Sequence, residues 1–355
     1  MQIDQKLNRK LIRDLSISLL LYTLPVVAIY LYFKLNNGIV AESHITLPSF
    51  LEFVKPAFVN IKTWGLTVFM LVLGVIEFGA GLYDDQWTGE ERKIDIVCFL
   101  APKLLLPPII AFFSLTALPF LIPDLENTLS WVPFWGGFFL IAVADDLTQY
   151  WYHRLHHQVP FLWRFHRTHH SAPYMGMAMA SRQNFIYTVF FSQIYLTATL
   201  TFLGLGLPAL FVAVIKSFIT LSAHSSIAWD KPFYKYRILH PIAWVLERFI
   251  STPATHHAHH ADTSGDGIGH FKGNFGNMFF LWDVIFGTGL ITRKFPKSYG
   301  MKSYKQEEWY AQFLWPIFKS KKEGSALAEG VLAVPVSKKI NGATVNPSLY
   351  EQVQS

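Results

Sequence analysis

Apolar and polar positions along this chain fall into blocks much longer than a helical turn. Leu11–Phe33 is a nearly unbroken apolar run behind Lys6, Arg9 and Lys10. It is longer than a signal-peptide core and no A-x-A cleavage site follows, so the pattern predicts a first membrane helix with a cytoplasmic N-terminus. Further apolar stretches predict spans at about Thr63–Leu82 and Ile94–Phe113, the latter kinked or ended by Pro107–Pro108. Another begins at Trp131–Val143 and continues as a helix through Asp145–His157. Phe185–Thr201 and Pro208–Ser222 form a pair joined by the turn-like Leu203-Gly204-Leu205-Gly206-Leu207. At 1.5 Å per residue the second arm reaches about 22 Å against a hydrocarbon core of about 30 Å, so the pair either crosses twice or dips and returns. Both routes bring the chain back to the side it left, which places residues 144–184 and 223–300 in the cytoplasm. Arg154, Arg164, Arg167, Lys231, Lys235, Arg237 and Arg248 on those segments agree with the positive-inside rule. The expected architecture is an all-α membrane bundle of four to six spans or half-spans with a cytoplasmic helical cap.

Composition supports the membrane class: 52% of residues are hydrophobic and only 15% charged, below the charged share of ordinary soluble domains. The net charge of +6 forms no basic stripe with interleaved aromatics, so no nucleic-acid partner is expected. A single cysteine, Cys98, excludes a disulfide framework, a thiolate zinc cage and a cysteine-held iron–sulfur cluster. Any bound metal must sit on nitrogen and oxygen.

Nitrogen is abundant in three tight groups: His153-Arg154-Leu155-His156-His157, His166-Arg167-Thr168-His169-His170, and His256-His257-Ala258-His259-His260. Helical residues three and four apart share a face, so His153 with His157, the trio His166, His169 and His170, and the trio His256, His259 and His260 each project to one side. Histidines such as His44 and His240 read as ordinary hydrogen-bonded residues. The three groups do not, because they adjoin apolar segments and aromatics such as Trp151, Phe161, Trp163 and Phe165. Eight or more unpartnered buried imidazoles would be costly, and a shared metal centre removes that cost. One zinc ion takes three or four protein ligands, so this many imidazoles imply two metals, although ligand type alone does not choose between iron, zinc, copper and nickel.

At these residues the sequence resembles the sterol desaturase/fatty acid hydroxylase superfamily, with its H-x3-H, H-x2-H-H and H-x2-H-H boxes. Asp146-Leu147-Thr148-Gln149-Tyr150-Trp151-Tyr152-His153-Arg154 is similar to the family's lead-in. Thr252-Pro253 before the third box, Asn274-Phe275-Gly276 and Trp282-Asp283-Val284-Ile285-Phe286-Gly287-Thr288 are similar to its later motifs, so the likeness runs from about Trp131 to Thr288. The resemblance implies His153, His157, His166, His169, His170, His256, His259 and His260 as ligands of two iron ions, with zinc expected only in mis-metallated preparations, and O2 as co-substrate. His224, lying between the second and third boxes, is implied as a further ligand. His156 and His257 are surplus to the pattern and are read as extra ligands or hydrogen-bond partners of ligands; Asp146, Asp262 and Asp283 are candidates for fixing imidazole tautomers. Phe275 stands where the family usually has tyrosine, which removes any hydroxyl-dependent role there. The implied activity is oxidation of a lipid C–H bond, by hydroxylation or desaturation of a sterol, fatty acyl or sphingoid chain.

The chain then divides into N-terminal membrane helices (1–130), a fatty acid hydroxylase/sterol desaturase-like catalytic region (131–300) and a peripheral or disordered tail (301–355). No flavin or cytochrome-like segment is visible, so the electrons are expected from a separate donor protein. Gly265-Asp266-Gly267-Ile268-Gly269 lacks the strand and helix of a dinucleotide loop and reads as turns over the third box. Glu77, Lys103 and Lys216 lie in or near apolar segments, where charge marks a polar path or burial between helices. Two competing readings stand beside the oxidase. A membrane zinc hydrolase requires a general base near the metal, for which Glu247 is the nearest glutamate, and a metal-handling transporter requires polar residues along several spans.

Overall fold

The computed structural model describes residues 13–21, 23, 27, 66–80, 85–302, 304, 306–323, 325–328, 338–340 and 343–345. Most of the first expected span, and His44, lie outside these residues; within it, 13–21 are helical. Among the described residues the regular structure is helical apart from a short antiparallel pair, Lys338–Ile340 with Ala343–Val345, and an isolated bridge between Ala261 and Tyr299; turns and loops join the helices. Two helical runs, Gly89–Leu121 (33 residues) and Phe185–His224 (40 residues), are long and apolar enough to cross a membrane.

The helices that matter here are α1 (Leu66–Gly79), α2 (Gly89–Phe112), α3 (Phe134–Gln158), α4 (Pro160–His170), α5 (Ser192–Leu200), α6 (Gly206–His224), α7 (His240–Phe249), α8 (Pro253–His259), α9 (Leu281–Phe286) and α10 (Trp309–Leu314). Pro107–Pro108 neither end α2 nor separate it from the next helical turns. The helix carries Pro102, Pro107 and Pro108 and runs on through a π-turn at Phe113–Ala117 into Leu118–Leu121. Each proline forfeits one backbone bond, and a wide turn can absorb the resulting mismatch in register.

Two compact units emerge. The first comprises residues 1–67, 109–149 and 192–217. The expected break between its apolar arms is real: Gly204 has φ +106°, and a Cβ there would meet the Ser130 backbone nitrogen at 2.8 Å, so both conformation and space require glycine. Asp145 on α3 pairs with Lys216 on α6 and accepts from Thr197 Oγ1 at 2.9 Å, so the lysine's charge is met by a carboxylate. Asp146 lies in this unit, its carboxylate 3.7 Å from Lys216 Nζ.

The second unit comprises residues 68–108, 150–191 and 218–355 and holds all three histidine groups. Aromatic residues of α10 and just beyond it, inside the stretch 301–355 expected to be peripheral or disordered, join the core. Trp315 and Leu327 are fully buried with Phe165 and Tyr187, and Phe313 packs with Ile94 and Cys98. Glu77 on α1 is fully buried and accepts from Met177 N (2.7 Å), Ser225 Oγ (2.6 Å) and Ser226 N (2.8 Å). Lys103 donates to the Phe99 carbonyl at 3.1 Å and lies over the Phe99 ring.

Candidate metal centre

The first group occupies the end of α3, the second the end of α4, and the third α8 and its C-cap. Val159 is extended and Pro160 opens α4, so the chain turns directly from the first group towards the second. Thr252 caps α8 in a reciprocal capping box with Thr255, with Pro253 at the first helical position; these three residues set where the third group begins. After the glycine-rich turns, where Asp266 Oδ1 accepts from Ile268 N and Gly269 N, His270 N donates to the Ala258 carbonyl at 2.6 Å, so this loop does close over the third group.

Nine imidazoles converge in two buried clusters. His153, His157, His166, His170 and His259 form one, and His169, His224, His256 and His260 the other; within each, ligand nitrogens lie within 4.8 Å of one another. The groups therefore do not each face one way as a unit. His169 separates from His166 and His170, and His259 from His256 and His260. In both, the i,i+4 pair stays together and the residue at i+3 leans to the other cluster.

Backbone carbonyls set the ring tautomers. Nδ1 of His153 lies 2.7 Å from Phe275 O, that of His259 2.7 Å from Gly273 O, that of His224 2.7 Å from Thr220 O and that of His169 3.1 Å from Arg182 O. A carbonyl only accepts, so each Nδ1 carries the proton and each Nε2 presents a lone pair. Yet His153 Nε2 and His259 Nε2 are 3.1 Å apart, and His169 Nε2 and His224 Nε2 3.3 Å apart. Two lone pairs at that distance repel unless a cation lies between them. Such spacings are also those of neighbouring nitrogen donors at about 2.0–2.1 Å from one ion. His166 Nε2, His170 Nε2 and His260 Nε2 are buried with no hydrogen-bond partner among the described residues, which leaves them aimed at the same need. The donor set fits metal.

Burial holds these rings neutral. His153 is pulled down to about 4, and His157, His166, His169, His170, His256, His259 and His260 well below the usual histidine value, first by desolvation and then by neighbouring imidazoles. Neutral rings are the metal-binding form. In the metal-free protein the unfolded chain takes up protons below about pH 6.5 that the folded chain refuses. Stability is therefore complete above that pH and is lost as pH falls, by about 1.4 kcal/mol per pH unit for each ring that stays neutral. Asp283 opposes this: burial raises it to about 6, so its contribution is present at low pH and lost as pH rises, but it is one group against eight. Thermal melting of metal-free protein should show a steep fall in midpoint between pH 7 and 5, and a flat profile would contradict the burial of these rings.

His156 and His257 lie outside both clusters. His156 Nδ1 meets the Tyr152 carbonyl at 2.7 Å, whereas His257 bridges the Tyr299 hydroxyl and the Ser225 carbonyl, both at 3.0 Å. Asp262 accepts from Ser298 Oγ at 2.7 Å, away from any imidazole contact seen among the described residues. His240 meets the Tyr234 carbonyl, the ordinary role expected of it.

Asp283 acts one step back from the rings. Its carboxylate accepts from Phe275 N (2.9 Å), Gly276 N (2.6 Å) and Thr288 Oγ1 (2.6 Å), and the Phe275 carbonyl receives His153 Nδ1. Phe275 thus serves through its backbone and through a fully buried ring beside His153, His157 and His259, neither of which needs a hydroxyl. Asp283→Asn would turn an amide group towards donors and lose at least one of these bonds. Metal affinity should fall about 10- to 100-fold, measurable by chelator competition.

Sequence reasoning missed a second support. Arg182, fully buried, pairs with Glu91 and lies 3.5 Å from Asp95, while its Nη2 donates to Gln312 Oε1 at 3.1 Å. The same residue's carbonyl receives His169 Nδ1. Tyr187 stacks on His166 at 4.8 Å between centroids. Nothing in the local spacing around Arg182 or Tyr187 marks them; only long-range packing does.

The fold is predominantly helical, carries two runs long and apolar enough to cross a membrane, and encloses two adjoining groups of buried histidines that could each hold a metal ion. Residues 138–288 match the family model for fatty acid hydroxylase, so this region is a fatty acid hydroxylase domain of the sterol desaturase/fatty acid hydroxylase superfamily. No curated protein and no solved structure matches the chain.

Proposed function

We propose that this protein is an O2-dependent lipid hydroxylase or desaturase, acting on a sterol, fatty acyl or sphingoid chain through a histidine-held di-iron centre supplied with electrons by a separate donor protein. The observation that carries this reading is the pair of adjoining cages whose facing Nε2 lone pairs, with tautomers set by backbone carbonyls, call for a cation in each. His153, His157, His166, His170 and His259 would hold one iron, and His169, His224, His256 and His260 the other. Five imidazoles exceed the four ligands of a structural zinc and suit a metal of higher coordination number. When bound, two irons supply the activation of O2 and the oxidation of an unactivated C–H bond.

The chain's own residues hold the ligands and keep the site dry. Phe275, Gly273, Thr220 and Arg182 carbonyls keep protons on Nδ1, and Trp163, Tyr187 and Phe275 pack rings around the imidazoles. Glu247, which a zinc hydrolase reading would need as a base, is instead bound by Arg293 at 2.8 and 2.7 Å and by Arg248 at 2.8 Å. The reading also includes four to six spans or half-spans, a catalytic region over 131–300 and histidines on the cytoplasmic side. Metal analysis together with lipid mass spectrometry of cells with and without the gene tests the function. About two irons per chain and an O2-dependent product heavier by one oxygen, or lighter by two hydrogens, are expected. Zinc with anaerobic hydrolysis, or transport without turnover, would overturn it.

A further inference from the structure

Helix α7 has its polarity reversed relative to an ordinary surface helix. Its buried side carries Ala243 and the ion-paired Glu247, while Ile242 (48% exposed), Trp244 (55%), Val245 (56%) and Phe249 (48%) face outward. At 100° per residue these four fall within one arc of about 160°. Ile238, just before the helix, is 85% exposed. The face continues beyond α7, because Phe249 packs edge-on against Phe279 and the neighbouring α9 exposes Val284 and Ile285. A contiguous apolar patch of this kind marks an interaction surface.

Cations rim it. An open cleft beside α7 is lined by Lys231, Tyr234, Lys235, Tyr236, Arg293 and Phe295. Glu247 offsets Arg293, but neither lysine has a carboxylate within 4 Å among the described residues. Arg237 is exposed next to the cleft, and Arg248 lies over the Trp244 ring at 4.5 Å. Aromatic and aliphatic side chains outward, with lysine and arginine at the edge, are the pattern of a helix lying in a bilayer interface. A second copy of the chain fits less well, since a two-fold contact would set this basic rim against itself.

We propose that α7 lies in the plane of the membrane interface, with Ile242, Val245 and Phe249 among the acyl chains, and that Lys231, Lys235 and Arg237 engage the phosphates of anionic lipid headgroups. This rests on the chain being a membrane protein, and the test separates the two. Full-length protein with Cys98→Ser and one added cysteine would be spin-labelled, placed in nanodiscs with or without phosphatidylserine, and probed by collision with O2 and with a water-soluble nickel complex.

Labels at Val245→Cys and Phe249→Cys should favour O2, as should Leu104→Cys in the apolar run of α2, whereas Ser264→Cys on the exposed turn should favour nickel. Water-accessible labels at 245 and 249 with 104 immersed would overturn the proposal alone; if 104 is also water-accessible, the membrane reading falls with it. Dipolar coupling between labels on different chains would show a second copy covering the face and would overturn it too. For the headgroup contact, the combined Lys231→Gln, Lys235→Gln and Arg237→Gln variant should retain several-fold less phosphatidylserine relative to phosphatidylcholine, measured by lipid mass spectrometry. Unchanged retention, or equal displacement of the lipid by inorganic phosphate, would overturn that assignment.

Discussion

His157→Ala is expected to abolish the proposed lipid oxidation and to leave one of the two proposed metal ions per chain, whereas the adjacent His156→Ala should keep both. The two residues are neighbours in sequence and both buried, yet His157 belongs to the five-histidine cage and His156 spends its Nδ1 on the Tyr152 carbonyl. Changing even an outer partner of a metal ligand commonly costs about 10- to 100-fold in metal affinity or activity, so losing a ligand should cost at least the upper figure. The division of the boxes sharpens the test. His170→Ala should deplete the five-histidine cage and His169→Ala the four-histidine cage, although the residues are consecutive. Metal content and a spectroscopic signature of the remaining ion would distinguish them; identical spectra from the two variants would mean that the boxes do not divide as the structure has them.

The largest effect on stability is expected from Arg182→Met. The guanidinium is fully buried between Glu91 and Asp95, whose side chains are 4% and 3% exposed. Removing it leaves two carboxylates in a low-dielectric interior without their cation, which typically costs about 3–5 kcal/mol. Thermal unfolding in detergent should begin roughly 5 °C lower. Because the Arg182 carbonyl also holds the His169 ring, metal should be lost from the four-histidine cage before the other. Arg182→Lys keeps a charge but not the fork that reaches both Glu91 and Gln312, and should fall between the two. A Met variant as stable as the parent would show that the buried pair contributes nothing.

Much of this site is legible in the chain because its signal is local. The candidate ligands are histidines at helical spacing, and α3, α4 and α8 carry the three groups where the pattern puts them. The match over residues 138–288 covers nearly the stretch from Trp131 to Thr288 that carries the motifs. Other expectations fail where tertiary context outweighs a local rule. Of the kink or helix end expected at Pro107–Pro108, the end is absent, because α2 runs through them to a π-turn. The hydrophobic pattern stops beyond Trp315 and the chain from residue 301 reads as a peripheral or disordered tail, whereas Trp315 fills a large volume of core beside Phe165.

By itself the sequence determined the helical class, the apolar runs, the histidine groups and the family of the central region, since each depends on residues close together in the chain or on ordered motifs. Only the tertiary structure decided which imidazoles share a cage, that His156 and His257 stand outside, and that Asp283 and Arg182 hold His153 and His169 through backbone carbonyls. The physical reason is direction. A ring nitrogen's partner depends on where distant carbonyls and carboxylates are brought by packing, such as Phe275, 122 residues from His153, and no spacing along the chain encodes that vector.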